Sequence, residues 1–167
     1  MDYRRLDMPD QNELYEYRDK LLAQTLAAAQ EFERLCRAIP DPFRCLTEDG
    51  WNVHQIATHV RDVDKQVYGM RLRRAVAEEH PVFQNFDGDA WQQAHYNAAE
   101  PLGKILDEFQ DSIQDLVGWL TSLPPAAWSR LTRHEVYGEF AMQAWAERGL
   151  AHIEEHIRAI EKGTQAS

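Results

Sequence analysis

The chain has 167 residues, 44% of them hydrophobic and 28% charged, which suits one globular domain with a substantial core. Eighteen basic against 28 acidic residues leave a net charge of −10, which disfavours nucleic acid and anionic membranes as partners. No run nears the ~18 apolar residues of a membrane span, and Cys36 and Cys45 are too few for a disulfide framework and lack metal-ligand spacing.

The N-terminus, Met1 to Asp7, has no apolar stretch behind its charges and is not a secretory signal. A cytoplasmic protein with reduced thiols is expected, with a Cys36–Cys45 disulfide across the Pro40–Pro42 turn as the alternative. The first helix is expected from about Pro9 to Ala38, on the spacing of Tyr17, Leu21, Ala28, Phe32, Leu35 and Ile39, and Pro40 and Pro42 end it. Asn52 as N-cap with Gln55 three residues on forms a capping box for helix two. Trp51 and Ile56 stand at the positions of a hydrophobic staple. Ile56, Val60, Val63, Val67 and Met70 then follow a four-three rhythm, the seam of a bundle. The only basic run, Arg71, Arg73 and Arg74, reads as a solvated helix end.

Between Ala77 and Gly88 the helical rhythm stops, giving a long loop in which Phe83 and Phe86 pin the chain to the bundle. Asp89 would cap a short helix carrying Trp91, His95 and Tyr96. Leu102 to Leu123 is the strongest amphipathic pattern, started or kinked by Pro101 and stopped by Pro124 and Pro125. Ala126 to Trp128 suits one helical turn, and Ser129 to Gly138 a connection. The last helix is expected from about Glu139 to Lys162, with Gly163 at its end. Four long amphipathic helices without a convincing strand predict an all-α four-helix bundle, residues 1–167 forming one domain, with a long connection between helices 2 and 3.

His152 and His156 lie four apart, so on a helix both imidazoles can reach one metal ion. They sit beside the apolar stripe of Ile153, Ile157 and Ile160. His59 follows Ile56 by three and precedes Val63 by four, which puts it on the inward face of helix two as the candidate third ligand. Three satisfied core histidines without metal are the bland alternative. His54 points elsewhere, and His80 and His95 have no partner at ligand spacing.

Trp51 to Val60 and Leu150 to Ile157 resemble two segments of DinB/YfiT-like proteins: a Trp before a helix with an inward metal-binding His, and a last-helix His pair. The loop from Pro81 to Trp91, Leu123 to Trp128 and Tyr137-Gly138 are similar to further landmarks of that family. The resemblance covers roughly residues 10 to 160 and implies a DinB-like four-helix bundle with a site for a divalent metal, zinc or nickel, on His59, His152 and His156. Relatives include metal-dependent transferases of low-molecular-weight thiols, an isomerase that uses such a thiol, and hydrolases. They often carry Asp directly after the first His of the pair, where this chain has Ile153.

Three neutral imidazoles leave a metal its full charge, which lowers the pKa of a bound thiol or water. With that chemistry, the resemblance implies metal-dependent transfer of a low-molecular-weight thiol as the expected function, with hydrolysis or non-catalytic metal or ligand binding as alternatives. No general base is obvious; Glu155 reads as solvated or supporting, and Asp62 as a group that orients His59. His152 to His156 also fits the H-x-x-E-H pattern of inverted zinc peptidases, but those need a further acidic ligand well downstream and only eleven residues follow. A homodimer is common for such bundles, and the sequence does not decide it.

Overall fold

A computed structural model describes residues 11–166. The expectations for Met1 to Asp7 and for a helix start at Pro9 lie outside them. Helix α1 spans Gln11–Ala38, α2 Val53–Val63, and α3 Met70–Ala77. Asp64–Gly69 joins α2 to α3 as a π-helical segment, so that one rod runs over 53–77. Then come β1 at Val82–Phe83, α4 at Gly88–His95 and α5 at Leu102–Thr121. A 3₁₀ turn at Pro125–Ser129, β2 at Leu131–His134, β3 at Gly138–Ala141 and α6 at Met142–Gln165 complete the chain.

Four long rods make the bundle. α1 packs on α5 and α6, and α2 packs on α5 and α6. Their shared apolar stripes bury Phe32, Ile56, Ile105, Phe109, Ile113 and Ile160 almost completely. Phe32 meets Phe109 edge to face, with ring centroids 5.6 Å apart. No helix among the described residues is long and apolar enough to cross a membrane.

The start of α2 is built as its sequence demands. Asn52 accepts from the Gln55 N–H at 2.9 Å, and Gln55 Oε1 accepts from the Asn52 N–H at 3.0 Å. The seam then departs from the simple rhythm. Met70 is exposed, and Arg71 and Leu72 are buried in its place. The π segment is the cause, because i→i+5 bonding takes up one residue more per turn and moves the inward face on by one position.

The connections carry a small sheet that the sequence reading did not anticipate. β1 pairs parallel to β2, with Phe83 opposite His134, and β2 pairs antiparallel to β3, with His134 opposite Gly138. Two- and four-residue strands are too short to show a period. Thr132 and His134 nevertheless point inward and are almost fully buried. Trp145 fixes the sheet to α6 by donating its indole N–H to Thr132 Oγ1 at 2.7 Å.

Other boundaries also moved. Asp87, not Asp89, caps α4, accepting from the Ala90 N–H at 2.9 Å. The last helix begins at Met142 because Gly138–Ala141 is drawn into the sheet. Gly163 lies inside α6 rather than ending it, pressed against Leu46. Cys36 is buried and Cys45 exposed, and both are free thiols. Burial pushes the Cys36 thiol up to about 12, well away from a reactive thiolate.

Candidate metal centre

The inward face of α2 and the middle of α6 bring His59, His152 and His156 together. The Nε2 atoms of His59 and His152 are 3.3 Å apart, and those of His152 and His156 3.2 Å apart. All three ligand atoms lie within 4.8 Å of one another. A tetrahedral zinc with Zn–N bonds of about 2.05 Å separates its ligand nitrogens by about 3.3 Å. The two short edges match that spacing. Three ring nitrogens turned toward one point are poorly satisfied by hydrogen bonds alone, since one proton at most fits between each pair. The donor set therefore fits a divalent ion with a fourth position open.

Burial sets the protonation state. It lowers His59, an effect that Asp89, Asp62 and Glu155 partly offset. Burial and repulsion from the neighbouring imidazoles push His152 down to about 3 and His156 down to about 4. All three are neutral at pH 7, with lone pairs free for a metal.

The rings are positioned mainly by packing. Trp51 meets His59 edge-on at 5.1 Å, and Tyr68, carried by the π segment, lies 5.6 Å from His152. Gly88 abuts His59 so closely that a Cβ there would lie 2.8 Å from His59 Cε1. The buried Nδ1 of His59 has no hydrogen-bond partner. Asp62 does not orient it, because its carboxylate accepts from Arg61 Nε at 2.9 Å and from Trp91 Nε1 at 3.2 Å. Ile153 lies in the core, so no carboxylate stands at that position either.

The centre opens on two sides. On one, a cavity of about 260 Å³ is lined by His59, His156, Asp49, Asp89 and Glu155 and is acidic. Glu155 is exposed there. On the other, a cavity of about 270 Å³ is bounded by His59, His152, Tyr68, Arg71, His134 and Arg148. Arg71 is thus not part of a solvated helix end. Arg73 and Arg74 are, paired with Asp115 and Glu78.

Of the remaining histidines, His54 is completely buried away from the centre. It donates from Nε2 to the Glu100 carbonyl at 2.7 Å and accepts at Nδ1 from the Tyr96 hydroxyl at 2.9 Å, a satisfied core histidine. His80 is exposed, and His95 is exposed and stacked on Trp91. The sequence reading missed His134, Arg71 and Arg148. For Arg148 a signal existed, because 148, 152 and 156 are spaced by four and lie on one helical face. For Arg71 none did, because twelve residues of unbroken α-helix would turn it about 120° from His59 and only the π segment brings it back.

YfiT from Bacillus subtilis, described as a probable metal-dependent hydrolase with an unusual four-helix bundle topology, is similar in fold. It superposes with a TM-score of 0.83 at 17% identity, covering 99% of this chain and 93% of its own. A protein of Oceanobacillus iheyensis, provisionally named a metal-dependent hydrolase, is 29% identical over 112 residues, 62% of this chain. The match spans 63% of that relative's length. The DinB superfamily matches across residues 18–160, through all three histidines, and the chain belongs to that superfamily.

Proposed function

We propose that His59, His152 and His156 hold one divalent ion, zinc or nickel, and that the chain transfers a low-molecular-weight thiol to a small electrophile at this centre. The convergence of three neutral imidazole nitrogens, two pairs of them 3.2–3.3 Å apart and all within 4.8 Å, carries the reading. A bound divalent ion would supply the Lewis acidity that stabilises a deprotonated nucleophile near pH 7.

The protein's own part is to hold and exclude. The imidazoles stay unprotonated, Trp51 and Gly88 fix the His59 ring, and Phe86 and Tyr68 wall the cavity beside His152. The choice of a thiol over water follows from a missing base. Among the described residues the cavity beside His152 is lined by no carboxylate, and the acidic groups near His59 stand at the opposite mouth. A thiol of pKa about 8.5 needs far less help to deprotonate than water of 15.7. Hydrolysis is the second reading, supported by the names given to YfiT and the Oceanobacillus protein.

The test is metal content by plasma mass spectrometry on untagged wild type, His59→Ala and His152→Ala. About one ion per chain, lost in both variants, is expected. Wild type that takes up neither zinc nor nickel overturns the reading. In zinc-loaded protein, thiol consumption with an electrophile such as a haloalkane favours transfer, and ester cleavage without thiol favours hydrolysis.

A further inference from the structure

The chain carries ten more acidic than basic residues, yet two arginines beside the centre have no acidic partner among the described residues. Arg71 is 6% exposed. Its Nη2 donates to the Gln84 carbonyl at 2.8 Å, its guanidinium lies 4.6 Å over Trp145, and its buried Nε has no partner. Arg148 lies 4.8 Å over Phe140 and 5.7 Å over Tyr137. Neither makes an ion pair among the described residues, and the two guanidiniums are close enough to repel each other. Burying a guanidinium without a counter-charge is costly. Flat aromatic faces recover only part of that cost.

A third donor faces the same space. His134 is 1% exposed. Its Nδ1 accepts from the backbone N–H groups of Val136 at 3.2 Å and Tyr137 at 3.3 Å. Those donors fix the proton on Nε2 in the neutral ring, so His134 lines the cavity as an N–H donor and not as a base. Two unpaired guanidiniums and an imidazole N–H border one cavity of about 270 Å³ that also reaches His59 and His152. The other mouth, with Asp49, Asp89 and Glu155, would repel an anion.

We infer that Arg71, Arg148 and His134 form an oxyanion subsite, and that the substrate of the adjoining centre is a small molecule carrying a carboxylate or phosphate group. The inference rests on the metal-centre reading for the word substrate, but the subsite itself does not need the metal. The anion pairs with the guanidiniums, and the rest of the molecule extends toward His59 and His152. A cavity of this volume takes only a small ligand.

The experiment is calorimetric titration of wild type with succinate, with inorganic phosphate and with uncharged succinamide, each in zinc-loaded and chelator-treated protein. A change in the intrinsic tryptophan fluorescence is the second readout. Saturable binding of succinate or phosphate but not succinamide is expected, in the metal-free protein as well. Succinate alone identifies a carboxylate site, phosphate alone a phosphate site. Arg148→Gln, on an exposed side chain that the core does not need, should weaken binding about tenfold or more, as loss of a charged hydrogen-bond donor does. Arg71→Gln should do the same where it folds. Anion binding should persist in the chelator-treated wild type, whose side chains are all intact, so failure of the metal reading and failure of the subsite are distinguishable. No binding of either anion to wild type, or unchanged binding in Arg148→Gln, overturns the inference.

Discussion

Replacing Asp64 by asparagine probes a buried carboxyl at the start of the π segment. Asp64 is 5% exposed and accepts from the Ser112 hydroxyl at 2.8 Å. Burial pushes it up to about 6, against smaller lowering by Ser112 and Lys65. The folded state therefore holds a proton that the unfolded chain releases near pH 4, and stability falls as pH rises through that window. A shift of about two units corresponds to ~3 kcal/mol lost in full above pH 6, of which ~2 kcal/mol accrues between pH 4.5 and 8. Asparagine has the same shape but no charge. Its extra amide donors cost the same at every pH, so they cancel when two pH values are compared. Urea unfolding of metal-free wild type and Asp64→Asn at pH 4.5 and 8 is the assay. The variant should gain ~2 kcal/mol on wild type between the two pH values. The histidines titrate in both proteins and drop out. A gain below ~0.5 kcal/mol would refute the claim that Asp64 is desolvated in the fold.

Two glycines offer sharper steric tests. Gly88→Ala places a Cβ 2.8 Å from His59 Cε1 and must turn that ring, so zinc affinity in a chelator competition should fall about tenfold or more with circular dichroism unchanged; equal affinity would show that Gly88 does not set the ring. Gly163→Ala gains about 1 kcal/mol of helix propensity but drives its Cβ onto the Leu46 carbonyl and to 2.7 Å from Leu46 Cγ. Overpacking against backbone costs ~1–3 kcal/mol, so a net loss in urea unfolding is expected, and a gain would contradict the contact.

Much of this molecule is legible in its sequence where one local rule acts alone. The Asn52–Gln55 box, the proline stops and the long stripes of α5 each follow from backbone chemistry within a few residues. The three histidines are legible because two helical periods place them inward. The failures occur where tertiary contacts decide. Strands of two and four residues exist only because Phe83 and His134 pair across fifty residues of chain. Gly163 reads as a helix stop by its local preference, but the approach of Leu46 requires it for its size. Arg71 reads as surface because arginine usually is, and Met70 reads as core because an unbroken α-helix would bury it.

That last misreading has a wider consequence. Insert one residue into an α-helix and the least disruptive repair is a π turn that absorbs it locally and returns the following residues to phase. The segment Asp64–Gly69 has that form, and Arg71, Leu72 and Ala75 resume the buried face beyond it. The rod over 53–77 can thus be regarded as a shorter α-helix with one spare residue. A deletion within 65–67 would straighten it without turning Arg71 away from the cavity. Asp64 and Tyr68, at and within that segment, supply a titratable group inside the bundle and an aromatic wall beside His152. The π turn thus lets one rod present His59 and Arg71 to the same cavity although they stand twelve positions apart.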